Sequence, residues 1–459
     1  MLERAALGRA NAPGVSVLRI LLIAQAFPPF NASGAVRVGK LARFLVDRGH
    51  DIRVLTAAPL PYPRTLPEEI PSDRIIVTRS LDPFALLARR SAASGRGAVP
   101  SRSLVGEGVR GRVVRWAGAL FAVPEPQVGW YPFALAAGGR LLREWQADVI
   151  YASALPFTAH LVARSLAKAA ATPWVAEFRD PFAGNPYSNL AGWRFPVDRW
   201  IERRTLSSAA ACVTVSEPMA ATLHERHRKR TIVVLNGYDE RAAAQPAVER
   251  EASAGPVTIL YTGLIYPGRR DPAPLFDAIA SLGERGREVR VEFYGQDLRG
   301  VAESAARHGV SDRVHVGGVI PHADAVAAQR RADLLLLLLW DDRREFGVYT
   351  GKLFEYVGAG RPIFAIGSDS GVAADLLRTR GLGVAARGAE AIAAVLARFI
   401  DEKRATGRVA APDPGAKAGL SRAEQFLHLE SLLGDVADAA VARPAAVATR
   451  PGRVDARQS

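Results

Sequence analysis

The sequence predicts an α/β protein of two doubly wound domains that face each other across a cleft. Three observations carry this. Short apolar runs of strand length alternate with stretches of helical periodicity, first over residues 17–240 and again over 256–415. The runs end in glycine, proline, asparagine or charged residues, as parallel strands do where they open into loops. A polar, alanine-rich linker, 241–255, separates the two series.

Residues 1–16 read as a flexible extension, and the first strand as 17–26. The loop Pro28-Pro29-Phe30-Asn31-Ala32-Ser33-Gly34 leads into a helix over 35–47, with Val38, Leu41, Ala42 and Leu45 on one face. A strand over 51–56 completes a right-handed βαβ unit. Its first loop lies at the carboxyl end of a strand, where ligands bind, so Gly34 serves either a close ligand approach or a turn. A third strand is expected over 74–79. Residues 83–125 break the pattern: between 89 and 115 there are seven arginines and one acid, flanked by Leu, Trp and Phe. This insertion reads as an anionic-membrane contact through 84–121, or as helices packed on the domain. Strands follow at 148–153 and 174–178, with a helix over 158–170 between them. The second strand runs into Arg179-Asp180-Pro181. Glu177, Arg179 and Asp180 are thereby expected at the crevice, for acceptor binding or proton transfer; Arg179 and Asp180 otherwise brace the loop. Strands at 211–216 and 232–235 end the first series, at Asn236-Gly237-Tyr238-Asp239.

The second series opens with a strand over 257–262 and the loop 263–272, which carries Arg269 and Arg270. A helix over 275–282 and strands at 289–294 and 314–316 follow. Six consecutive leucines, 334–339, read as a strand buried on both faces. Beyond them Thr350 caps a short helix that stops at Gly358, Gly360 and Pro362. At roughly 100° per residue, Leu353, Phe354 and Val357 share one face and Gly351, Lys352 and Glu355 the other. The free amides and positive dipole end of such a helix suit phosphate, and Lys352 adds a charge for a second phosphate. Glu355 lies roughly 5 Å further along the axis, within reach of vicinal hydroxyls. Phosphate at the tip and a diol one turn on is the shape of a nucleoside diphosphate. The alternative is an ordinary solvated Lys–Glu pair. A strand at 363–367, a C-terminal helix within 416–439 and a disordered tail, 440–459, end the chain.

Hydrophobic content of 49% is that of a globular chain. The net charge of +14, with only six lysines, makes the surface arginine-rich and favours anionic partners. The basic residues are dispersed and form no known nucleic-acid module, so nucleic acid is not expected. The single cysteine, Cys212, lies in an apolar strand and excludes a disulfide framework. No run reaches the roughly 18 apolar residues of a membrane span, and 1–14 contains no signal core. A cytoplasmic protein is expected, peripheral at the inner face of the membrane if the insertion docks there.

Taken in order, Phe27-Pro28-Pro29 with Ser33-Gly34, Arg179-Asp180-Pro181, Asn236-Gly237-Tyr238-Asp239, Gly263 with Arg269-Arg270, and Gly351-Lys352-Leu353-Phe354-Glu355-Tyr356 with Gly360-Arg361-Pro362 resemble the retaining, GT-B-fold glycosyltransferases of family four, over about 17–436. The bacterial exopolysaccharide and O-antigen branch is the nearest in pattern. The resemblance implies that Glu355 binds the ribose hydroxyls and that Thr350, Gly351 and Lys352 face phosphate. It implies that Arg270, or Arg269 beside it, contacts the diphosphate, that Gly34 belongs to the glycine loop, and that Val319 and Ile320 border the base. Catalysis would fall to Asp180, Arg270 and Lys352, with a nucleotide sugar as donor, a UDP-sugar on family grounds. A glycan or lipid-linked molecule would accept, and no metal or cofactor is expected. The family's first paired glutamate would fall at Gly347, with Glu345 two residues before it; Leu264 stands where an arginine is common. The competing readings are a GT-B-like nucleotide-sugar epimerase, a sugar phosphorylase, and a catalytically degenerate scaffold.

Overall fold

The computed structural model describes residues 16–32, 34–81, 123–185, 194–240, 255–266 and 268–442. The expected architecture is present. In the first domain, β1 (Arg19–Ile23), β2 (Asp51–Ala57), β3 (Ile75–Thr78), β4 (Val149–Ala154), β5 (Trp174–Phe178), β6 (Ala211–Thr214) and β7 (Arg230–Val233) form one parallel sheet. Its order is β3-β2-β1-β4-β5-β6-β7. In the second, β8 (Val257–Thr262), β9 (Val289–Tyr294), β10 (Val314–Gly318), β11 (Leu334–Leu338), β12 (Ile363–Ile366) and β13 (Gly383–Ala386) are ordered β10-β9-β8-β11-β12-β13. Helices cover both faces, so β4, β5, β6, β11 and β12 are buried throughout. That is why they appear in sequence as unbroken apolar runs.

The strand order reverses between β1 and β4 and again between β8 and β11. The loops that leave these four strands therefore splay apart at the two switch points and form the walls of a cleft. The insertion expected to touch a membrane lies outside the described residues, as do most of the linker and the tail. No helix among the described residues is long and apolar enough to cross a membrane.

The last strand of the first series and the final helix depart from the sequence reading. The strand expected over 232–235 is displaced to Arg230–Val233, because the carbonyls of Val234 and Leu235 are taken by the Arg37 guanidinium instead of a ladder partner. The final helix, Arg422–Val441, is not a separate appendage. Its Phe426, Leu429, Leu432 and Leu433 enter one core with Leu18, Ile20, Val38 and Leu41 of the first domain. Arg48 and His50 hold its Glu430 at 3.0 and 2.8 Å. The chain thus crosses between domains twice, and the crossings are stitched together: Tyr238 N–H donates to Leu420 O and Arg422 N–H to Tyr238 O.

Candidate functional site

Between the domains lies a cleft of about 1640 Å³, lined by the loops after β1, β4, β8 and β11 and by the stitched crossing. On its second-domain side stands the helix Gly351–Ala359. Thr350 is the N-cap, accepting from Leu353 N–H at 3.4 Å, and Gly360 at φ +70° ends it. Leu353, Phe354, Tyr356 and Val357 are buried against the sheet, which fixes the polar side toward the cleft. The leading amides have no partner within the helix and mark an anion position.

Thr350, Gly351, Glu355, Arg269, Arg270, Val319 and Ile320 all line this side. Glu355 is exposed, with His322 Nδ1 at 3.8 Å. Lys352 does not reach into the open cleft. Its ammonium lies 3.6 Å over the Tyr261 ring, tucked under Gly263, where a Cβ would come within 2.7 Å of Nζ. Burial pulls its pKa down to about 7, with Glu355 opposing and Arg270 adding to the fall. Gly263 is required by its φ of +119°, and its missing side chain also leaves room for the lysine packed on it.

The two arginines of the loop after β8 separate. Arg269 stacks on Trp340 at 4.7 Å, with Arg344 on the same ring at 5.4 Å. Arg270 turns into the cleft, over Tyr266, and donates to Glu345 at 3.1 Å. Glu345 therefore brings a carboxylate to the cleft although Gly347 has no side chain. Burial, followed by the Asp180 carboxylate, pushes Glu345 up to about 7, against the pull of the Arg270 guanidinium toward the charged form. Asp180 belongs to the other domain and is itself raised by burial, with Arg179 opposing. Two carboxyl groups from opposite domains thus face one space.

Of the first-domain expectations, that for Glu177 changes, while Arg179 and Gly34, which both line the cleft, take the structural side of alternatives already open. Glu177 does not reach the crevice. It is fully buried, and Arg37 Nε donates to it at 2.8 Å. A strand-end residue faces either side of the sheet, and here the side chain turns under the helix Ala35–Asp47. Arg179 lines the cleft, but its guanidinium is bonded to the carbonyls of Ala154 and Leu155 at 3.1 and 3.0 Å, so it braces the loop. Gly34, at φ +83°, packs on that guanidinium; a Cβ there would collide with it. The glycine is required by the arginine as well as by the turn.

Sequence reasoning missed Arg37, Lys40 and Arg422. Arg37 ties Glu177 to the carbonyls of Val234 and Leu235. Lys40 pairs with Glu69 at 3.0 Å and Asp239 at 3.4 Å, and Arg422 with Asp239 at 3.4 Å. An arginine among Ala35, Val38 and Leu41 was the available signal, since a charge on a buried face requires a buried partner. Cys212 is buried in β6, its thiol pushed up to about 12 by burial.

Comparison with known proteins bears on the fold. Residues 34–237 match the family model described as a glycosyl transferase 4-like domain. No curated protein matches the sequence. Among solved structures, the chain resembles HepE of Anabaena in complex with UDP at 15% identity and a TM-score of 0.56, covering 92% of this chain and 97% of that one. It resembles sucrose-phosphate synthase of Thermosynechococcus elongatus at 15% identity and a TM-score of 0.60, over 92% and 100%. The catalytic domain of starch synthase IV from Arabidopsis thaliana, bound to ADP and acarbose, matches at 13% identity and a TM-score of 0.56, over 93% and 100%. The two Rossmann-like domains and their mutual arrangement are those of the GT-B fold.

Proposed function

We propose that this chain is a glycosyltransferase that moves a sugar from a UDP-sugar to a hydroxyl of a glycan or lipid-linked acceptor, with retention at the anomeric carbon, in cell-surface polysaccharide synthesis. The observation that carries the reading is the convergence, on one wall of the cleft, of a capped helix N-terminus, the Arg270 guanidinium and Glu355. These groups match a diphosphate and a ribose in that order. The loop at Val319 and Ile320 leaves an exposed apolar edge for a base. Uridine as the base draws support from the UDP bound by the Anabaena protein.

In the reaction the anomeric carbon loses its bond to the β-phosphate oxygen and gains one to the acceptor oxygen. The departing diphosphate takes the bonding electrons, and the helix amides, Lys352 and Arg270 stabilise that charge. The acceptor proton passes to Asp180, which opens onto the same space from the first domain. Charge on the leaving group is met by the chain's own cations, so transfer is expected to persist in EDTA.

The test is a melting-temperature panel of UDP, GDP, ADP and their sugars, followed by transfer to glycan and lipid-linked acceptors. UDP compounds are expected to raise the transition. Lys352→Ala and Glu355→Ala are each expected to weaken donor binding roughly 10- to 100-fold, the range for a hydrogen bond to a charged group. Parent-like responses from both variants, or no shift with any nucleotide, overturn the reading.

A further inference from the structure

We propose that the outward face of the helix Arg194–Leu206 docks on an anionic lipid bilayer and holds the acceptor side of the cleft at that surface. The proposal rests on the transferase reading and narrows its acceptor to one anchored at a lipid layer.

The helix separates its charges. Both acids point inward and find partners there: Asp198 in Arg194 at 2.9 Å, and Glu202 in His227 at 2.9 Å, the Ala183 amide at 3.1 Å and Arg226 at 3.8 Å. Arg199, Arg203 and Arg204 point outward, exposed and in no ion pair among the described residues. On the same face lie Trp200, 63% exposed, and Phe195, 40% exposed. At roughly 100° per residue these five side chains share one half of the helix. A merely solvated helix carries mixed signs outward and few large rings. This face has one sign, two rings and no acid. At its C-terminal end Lys229 donates to Ser207 O at 2.9 Å, extending the basic strip.

Charge decides the occupant. A second copy would present arginines to arginines on a chain whose net charge is already +14. The face is the outer side of a single helix. Arginines flanking a tryptophan at one level match headgroup phosphates and the interfacial zone beneath them. The position is also suitable. The Phe195 ring lies 3.1 Å from where a Cβ on Gly184 would stand, and the next residue, Asn185, lines the cleft with Asp180. A lipid-anchored hydroxyl would meet the cleft at that rim.

The experiment is flotation of the full chain with phosphatidylcholine vesicles, with and without 30 mole per cent phosphatidylglycerol, at low and high salt. The parent is expected to float with the anionic vesicles only, less so as salt rises. Arg199→Glu/Arg203→Glu/Arg204→Glu should cut partition by at least about tenfold. Trp200→Ser should cut it with less salt dependence, and the glutamine triple variant checks that the loss follows charge. All should keep the parent's UDP melting shift. Absence of flotation, flotation without phosphatidylglycerol, parent-like flotation by the charge-reversed variant, or a dimer that this variant dissociates would each overturn the proposal. Because the UDP shift is read without vesicles, the two readings fail separately. Nucleotide binding without docking sinks this one, and docking without nucleotide binding sinks the transferase.

Discussion

Lys352 illustrates how a motif residue can be right in place and different in state. The helical spacing put it toward the cleft, but its ammonium is stored on the Tyr261 ring with its pKa near 7. A diphosphate arriving nearby restores the charged form. Nucleotide binding at pH 8 should therefore take up a proton, and at pH 6 this lysine should add none. Calorimetry in two buffers of different ionisation enthalpy reads the difference, which Lys352→Met should remove. Glu345 gives a second prediction. Its value of about 7 lies above the ordinary 4.5, so its contribution to stability is complete below 4.5 and is lost as pH rises through about 7. Glu345→Gln removes that loss. The variant's Tm should shift upward relative to the parent's between pH 5 and pH 8, and an unchanged difference would contradict it. Neither state was legible in sequence, because each is set by burial and by charges from distant segments. Glu177 was misplaced for a related reason: position at a strand end does not tell which side of the sheet a side chain takes.

At the level of elements, the βα alternation was readable because strands buried on both faces cannot hide their apolar content. The helices Ala35–Asp47 and Thr158–Ala170 and strands β5, β8 and β9 have the expected bounds. The helix Arg194–Leu206 was not marked, since it buries Arg194, Asp198 and Glu202 as pairs and shows no apolar stripe. His322–Arg331 was missed because its alanines give little contrast between faces. The helix Ala35–Asp47 has a cost built into it: Arg37 and Glu177 are 5% and 0% exposed. Arg37→Met leaves a buried carboxylate alone and should destabilise by roughly 3–5 kcal/mol in denaturant unfolding. Adding Glu177→Met should recover part of that. The recovery stays incomplete because the Val234 and Leu235 carbonyls lose their donor. A double variant no better than the single would show that the pair's charge is not the source of the loss.

For the molecule as a whole, the βα alternation shows two domains but not that the helix following the second returns to the core of the first. Periodicity shows that the helix Arg422–Val441 has an apolar face; it does not show which sheet receives it. The structure places that face on the first domain. A chain ended at residue 418 should therefore lose the first domain's cooperative unfolding and expose Leu18, Ile20 and Val38 to protease, while the second domain's core remains protected. Equal protection of both halves would contradict this. The same placement bears on how the protein is made. Ribosomes deliver the first domain's strands early and its last core helix only after the whole second domain. Until then the apolar face that includes Leu18, Ile20, Val38 and Leu41 lacks the cover of Phe426, Leu429, Leu432 and Leu433. An apolar face exposed for that interval favours aggregation, so misfolding during synthesis is expected to follow the length of the delay rather than the stability of the finished fold.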